Sequence, residues 1–261
     1  MIERITQKNA ESFFELTQAK NPFACLLFAR LSAFGAESPY ADFWLCSDTS
    51  GNFWGALGRT GSHFTLYPLP CTDFEELASF FCVMGQGALI SAPLPDCRKL
   101  KEAFPLSSME SGKIMGYRKS AAPEPSENVK NSGDYKEIYR CICESRPEFS
   151  KAVSFDDFYA ELYPKKKQNQ CYFVEIRKNN LVISTAGALH LSGTTAVIGC
   201  VSTVPEECGH GYASQTIATV TGKALSRGLL PLLLCKKELV SFYERLGFTK
   251  ENEWGQLRIA F

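Results

Sequence analysis

Near the end of the chain the segment Val201-Ser202-Thr203-Val204 meets Pro205, and Glu206-Glu207 lead into Cys208-Gly209-His210-Gly211-Tyr212-Ala213-Ser214. A β-branched run, a proline, two glycines and a helix-competent segment build a tight loop whose bare amides open at a helix start. Such a loop suits phosphate, because unsatisfied N–H groups and the positive end of the helix dipole point the same way. Glycine is needed wherever a Cβ would hold phosphate oxygens off the backbone. Further along stands a second signature, Ser241-Phe242-Tyr243-Glu244-Arg245-Leu246-Gly247-Phe248.

Each piece also has a plainer structural reading. A lone Gly-x-Gly is commonly just a turn. Tyr243 lies on the apolar face of its helix, and His190 sits within a strand as a semi-buried histidine. His210 reads as loop surface and Glu206-Glu207 as a solvated turn. Cys208 has no His-Asp/Glu arrangement to make it a nucleophile. Conjunction in one order is what raises the functional reading.

The elements that must position these residues are legible in the pattern. Tyr135–Glu144 carries apolar residues at helical spacing, and Phe155–Tyr163 reads as a helix capped by Ser154 and stopped by Pro164. Tyr172–Arg177, Leu181–Leu191 and Thr195–Val204 read as an antiparallel meander. Its turns, Asn179-Asn180 and Ser192-Gly193, use residues that tolerate positive φ. A helix over Gly211–Arg227 ends at Gly228, Leu229–Cys235 is a strand buried on both sides, and Lys237–Leu246 is a last helix before a final strand.

The N-terminal half follows a similar order. Helices over Ala10–Ala19 and Phe23–Phe34 precede strands at Phe43–Ser47, Phe53–Gly58 and His63–Tyr67. Then come Phe74–Met84 (helix), Ala88–Ser91 (strand), Cys97–Phe104 (helix) and Ile114–Arg118 (strand). Its equivalent of the glycine loop, Tyr67-Pro68-Leu69-Pro70-Cys71-Thr72-Asp73, has no glycine pair and so no phosphate cradle. Between the halves, residues 119–133 are rich in Pro, Ser, Asn and charge and read as a linker.

Composition narrows the classes. At 261 residues the chain has room for two domains, and an apolar fraction of 45% is enough for real cores. Lys+Arg and Asp+Glu balance at 28 each, so no whole-chain basic surface points to nucleic acid. Lys165-Lys166-Lys167 after a proline reads as a solvated loop. Eleven cysteines occur without a Cys-x-x-Cys and with three histidines as possible co-ligands, which argues against a metal site and for free thiols in a reducing cytoplasm. No window has signal-peptide or membrane-span character.

Taken together, the glycine loop and the Phe242–Phe248 segment resemble the acyl-CoA site of the GNAT superfamily of N-acetyltransferases. The resemblance covers residues 134–261, and the α-α-β-β-β-α-β-α-β order there is that of the GNAT core. It implies an α/β (α+β) fold with a mixed, mostly antiparallel sheet flanked by helices. It further implies a degenerate GNAT-like domain at 1–119, a linker at 120–133 and an acetyl-CoA-binding catalytic domain at 134–261. That tandem arrangement, with the motifs in the second half, is similar to the glycine N-acyltransferase type.

The superfamily loop is Gln/Arg-x-x-Gly-x-Gly/Ala. This chain matches it at Gly211 and Ala213 and departs at Cys208, losing a long polar side chain. The resemblance places the phosphates of acetyl-CoA, or of another acyl-CoA, on Cys208, Gly209, His210, Gly211, Tyr212, Ala213 and Ser214. It places the pantetheine arm along Val201, Ser202 and Thr203, where strand amides are often freed at a bulge and can polarise the thioester. Tyr243 is the implied general acid for the departing thiolate. Lys236 stands where such enzymes often carry asparagine. The base is Glu175 or His190.

The implied activity is N-acetyl transfer to a primary amine, most simply on a small molecule, by direct attack in a ternary complex. A non-catalytic acyl-CoA-binding or regulatory module is the alternative, favoured by Cys208 and Lys236. An aminoacyl-tRNA-dependent transferase is a third reading that the balanced charge disfavours.

Overall fold

The protein is described here from a computed structural model covering residues 1–84, 87–119 and 121–260. Four positions of the expected organisation lie outside the described residues: Gly85 and Gln86 in the first domain, the linker residue Ser120, and Phe261 at the end of the second domain. The chain divides into two compact units. Unit 1 contains Met1–Met115, Leu234–Val240 and the segment from Lys250 onward, and unit 2 contains Gly116–Leu233 and Ser241–Thr249.

The first half of the chain supplies β1 (Ile2–Arg4), α1 (Ala10–Thr17), α2 (Pro22–Phe34), β2 (Ala41–Ser47), β3 (Phe53–Thr60), β4 (His63–Pro68), α3 (Phe74–Met84), β5 (Leu89–Pro93), α4 (Leu94–Ala103) and β6 (Ser108–Tyr117). The second half supplies β7 (Lys130–Ser132), α5 (Tyr135–Ser145), α6 (Pro147–Ala152), α7 (Phe155–Lys167), β8 (Tyr172–Lys178), β9 (Leu181–Leu191), β10 (Thr195–Thr203), α8 (Tyr212–Ser226), β11 (Leu230–Cys235), α9 (Val240–Arg245) and β12 (Phe248–Arg258).

In unit 1 the strands β1 to β4 form antiparallel neighbours, β5 joins β4 in parallel, and β12 lies antiparallel against β5. The strand that pairs with β5 and stands between it and β6 therefore comes from the far end of the chain. One face buries Trp44, Phe64, Leu77, Phe81, Cys97 and Leu257 under α3 and α4, and the other buries Phe13, Leu27, Leu31 and Phe43 under α1 and α2. Alternation along each strand feeds both cores, the period-2 logic of a sheet covered on two sides.

In unit 2 the order is β11-β10-β9-β8-β7. Strands β7 to β10 are antiparallel, and β11 runs parallel to β10. Tyr135, Ile138, Ile142, Phe158, Leu162 and Phe173 form the core where α5 and α7 cover the sheet. The Asn179-Asn180 hairpin takes φ of 51° and 64°, as a tight primed turn needs. Gly193 is not in that region; the second turn closes instead through the Ser192 hydroxyl, which accepts from Thr195 N at 3.1 Å. The expected linker also contains structure, since β7 falls within it and pairs with β8.

Two further expectations change. The helix expected to stop at Pro164 runs on as α7 to Lys167. A proline so near a C-terminus forfeits one i→i−4 bond, and its fixed φ remains compatible with the last turn. Lys165, expected in a solvated loop, is fully buried in that turn.

Helix α5 is anchored by Asp134, whose carboxylate accepts from Glu137 N at 3.1 Å and from Arg177 Nη2 at 3.0 Å. The hydrogen bond from Arg177, with backbone N–H groups helping, holds the Asp134 carboxyl below its usual value. A depressed carboxyl contributes stability that is present above its unfolded value and is lost as pH falls through the folded one. Asp134→Ala is expected to cost about 1 kcal/mol at neutral pH. Urea titration should show that gap closing as pH falls below the usual carboxylate range; a gap that persists there would locate the effect outside the charged cap.

Candidate active site

The site is laid out by a parting of two strands. Register between β10 and β11 runs from Thr195↔Leu230 to Ile198↔Leu233 and ends there, although β10 continues to Thr203. On its other side β10 slips against β9 between Gly199 and Ser202. Cys200 sits in the slip with φ of 50°. A bulge with a non-glycine residue in the left-handed region costs energy and bends the strand, a feature found beside active sites. Burial pushes the Cys200 thiol up to about 11, so it stays protonated at neutral pH.

After Thr203 the chain makes a single 3-10 turn at Pro205–Glu207. Glu207 pairs with Lys178 at 2.5 Å, which ties this turn to the end of β8 and raises the Lys178 ammonium. Cys208 turns back toward its own strand, with Sγ 3.6 Å from Val204 O and 3.8 Å from Thr203 O. The residue standing where Gln or Arg was expected thus closes the loop and does not reach outward.

Gly209 and Gly211 take φ of 85° and 80°, and Gly211 caps α8 in the left-handed conformation. Cys208 N donates to Pro205 O and Gln215 N to Gly211 O. Among the described residues, none of the amides from Gly209 through Ser214 has a protein acceptor. These are the orphan donors of a helix start extended backwards by a glycine turn. The rings of His210 and Tyr212 stack 5.8 Å apart beside them. Every residue assigned to the cradle from sequence lies on this one stretch.

Tyr243 is 6% exposed on α9, with its ring against Phe242 (5.1 Å) and Phe248 (6.0 Å). Tyr117 packs on Phe248 at 5.4 Å. Gly247 takes φ of 96°, and a Cβ there would stand 2.7 Å from Lys119 Cε and 3.1 Å from the Tyr117 ring. The glycine that ends the signature therefore serves a turn and a close approach at once.

The two candidate bases differ in what they can do. Glu175 on β8 is buried; Oε1 accepts from Arg177 Nε at 2.6 Å, and Oε2 has no hydrogen-bond partner among the described residues. It shares a cross-strand row with Thr185 and Ser202, and the Ser202 hydroxyl is likewise buried without a partner. Glu175 also lines an open cavity of about 500 Å³ with Glu127, Asn128, Lys130 and Arg177. His190 on β9 is 3.3 Å through Nδ1 from Lys165 Nζ, which also pairs with Glu161 at 2.8 Å. An ammonium donating to Nδ1 leaves the hydrogen of a neutral imidazole on Nε2, so this histidine presents a donor.

Lys165 is the residue that sequence reasoning missed. The Glu161–Lys165 spacing, one helical turn, was the available signal. Lys236 lies in unit 1, where its ammonium is 3.9 Å from Glu110 on β6; its pairing there is within that unit.

Comparisons with known proteins agree with this geometry. Residues 135–248 match the acetyltransferase (GNAT) family. No curated protein matches the chain. Among solved structures, a Drosophila protein is similar with a TM-score of 0.72 at 12% identity, covering 99% of this chain and 98% of that one. A tandem GNAT protein from the clavulanic acid biosynthesis pathway gives 0.63 at 12% identity over 99% and 97% of the two chains. A GCN5-related N-acetyltransferase from Sphaerobacter thermophilus gives 0.63 at 13% identity over 99% and 94%. At these identities the likeness is one of fold, a mixed sheet flanked by helices. The parted strands, the glycine-started helix and the family match fall on one stretch, residues 135–248.

Proposed function

We propose that this domain binds acyl-CoA, most simply acetyl-CoA, and transfers the acyl group to a primary amine of a small molecule. The observation that carries the reading is the unbroken series of acceptor-less amides from Gly209 to Ser214, next to a strand that has parted from its neighbour. Those amides, with the field of α8, would hold the pyrophosphate. The edge of β10 around Val201, Ser202 and Thr203 would hold the pantetheine arm. Bound there, the acyl-CoA supplies a thioester carbonyl open to amine attack.

Tyr243 is the group we assign to protonate the leaving thiolate. We assign proton acceptance to Glu175 over His190, because Glu175 has a carboxylate oxygen to spare and His190 spends its acceptor nitrogen on Lys165. The alternative reading, an acyl-CoA-binding module without turnover, is favoured by one observation, the burial of Tyr243 among Phe242 and Phe248.

Unit 1 we read as a degenerate copy of the same fold in tandem. Its order of elements from β1 to β6 parallels that of the second half, and it repeats the parallel pairing of β4 with β5. The Tyr67–Asp73 connection leads into α3 without glycine, which supports a loss of the cofactor site there.

Isothermal titration with acetyl-CoA, combined with thiol release over an amine panel, tests the reading. Micromolar binding with amine-dependent release is expected, and Glu175→Gln should lower release while leaving binding in place. Binding without release on any amine selects the module; absence of binding overturns both.

A further inference from the structure

Unit 1 carries a second constellation of reactive side chains. Ser91 on β5 has its Oγ 2.8 Å from His63 Nε2 on β4 and 3.1 Å from Gln256 Nε2 on β12. The three converge because Ser91 is in register with Thr65 on one side and with Gln256 on the other. Ile90, Ala92, Phe64 and Leu66 belong to the core under α3 and α4. Alternation therefore turns Ser91 and His63 to the opposite face of the sheet. All three side chains are half-buried there, so the group is not sealed in a core.

The direction of the hydrogens follows from the donor inventory. The Gln256 amide nitrogen can only donate, so Ser91 Oγ accepts from it. The serine hydroxyl then points its own proton at His63 Nε2, which must hold a lone pair and leave the imidazole hydrogen on Nδ1. This is the polarity that activates a serine nucleophile. The amide that fixes it is also placed to donate to an oxygen developing on a carbon bonded to Oγ.

We propose that Ser91, His63 and Gln256 form an acyl-transfer site that cleaves small carboxylic esters, independent of the acyl-CoA site in unit 2. Ser91 Oγ adds to the ester carbonyl carbon while its proton passes to His63 Nε2. The carbonyl oxygen takes the negative charge and accepts from Gln256. Collapse breaks the carbon–oxygen bond of the ester, and the departing alkoxide takes the proton from His63, leaving an acyl-serine. Water then adds to that carbonyl, giving a proton to His63, and the acid leaves as Ser91 Oγ recovers it.

The test uses the full chain with a fluorophosphonate probe and with p-nitrophenyl acetate. Peptide mapping should find the phosphonyl adduct on Ser91, with ester turnover rising through the titration of an imidazole. Ser91→Ala should abolish both signals and leave acetyl-CoA binding, read by titration, unchanged. Gln256→Leu should lower ester turnover at least tenfold while Ser91 remains labelled. An unlabelled Ser91, or turnover that survives Ser91→Ala, overturns the proposal whatever happens at the acyl-CoA site. The pH dependence of Ser91 labelling in the native chain tests the part played by His63, and a flat profile overturns the proposal.

Discussion

Gly211→Val is expected to weaken acyl-CoA binding by a hundredfold or more, read by isothermal titration on a protein that still folds. Gly211 holds φ of 80° at the cap of α8. A side chain in that region costs about 1–2 kcal/mol, more with a branched Cβ. Relief comes by rotating the peptide units on either side, which turns their amides away from the ligand. Each lost hydrogen bond to a charged group is worth about 1.5–3 kcal/mol. Conformational strain and two lost donors thus account for several kcal/mol, and every 1.4 kcal/mol is a tenfold change. The cost to the fold is that backbone strain alone, because a Cβ built at Gly211 meets no neighbour within 4 Å. Affinity retained within about threefold would refute the amide cradle.

Tyr243→Phe separates chemistry from packing. The ring is 6% exposed between Phe242 and Phe248, and phenylalanine preserves both ring contacts. Loss of the hydroxyl removes the proton donor. General acid catalysis contributes about 10²–10⁴-fold, so kcat is expected to fall at least a hundredfold while the acetyl-CoA dissociation constant stays within about twofold. A matching loss of binding would make Tyr243 a structural residue. Unchanged turnover would mean that the thiolate leaves without help from this side chain.

What the sequence showed best was local. Gly209, Gly211 and Gly247 all take the positive φ that their placement suggests, and the helix beginning at Tyr212 follows its glycine start. The Asn179-Asn180 turn is of the same kind. Features set by distant contacts were hidden. Cys200 adopts a left-handed backbone that no propensity assigns to cysteine, because a bulge between β9 and β10 demands it. Lys165 looked like solvent-exposed charge and is buried, since Glu161 and His190 supply its partners from a helical turn and a separate strand. His63, Ser91 and Gln256 come from three strands, and nothing in their spacing foretells their meeting.

The placement of β12 against β5 bears on how the chain matures. On the ribosome, β1 to β6 emerge well before the strand that covers β5. Until β12 arrives, that edge offers unpaired N–H and C=O groups to any other extended chain. Severing the backbone between the halves would therefore not release two self-sufficient modules. A fragment ending near Lys119 should aggregate when expressed alone, and supplying the second half in the same cell should restore its solubility.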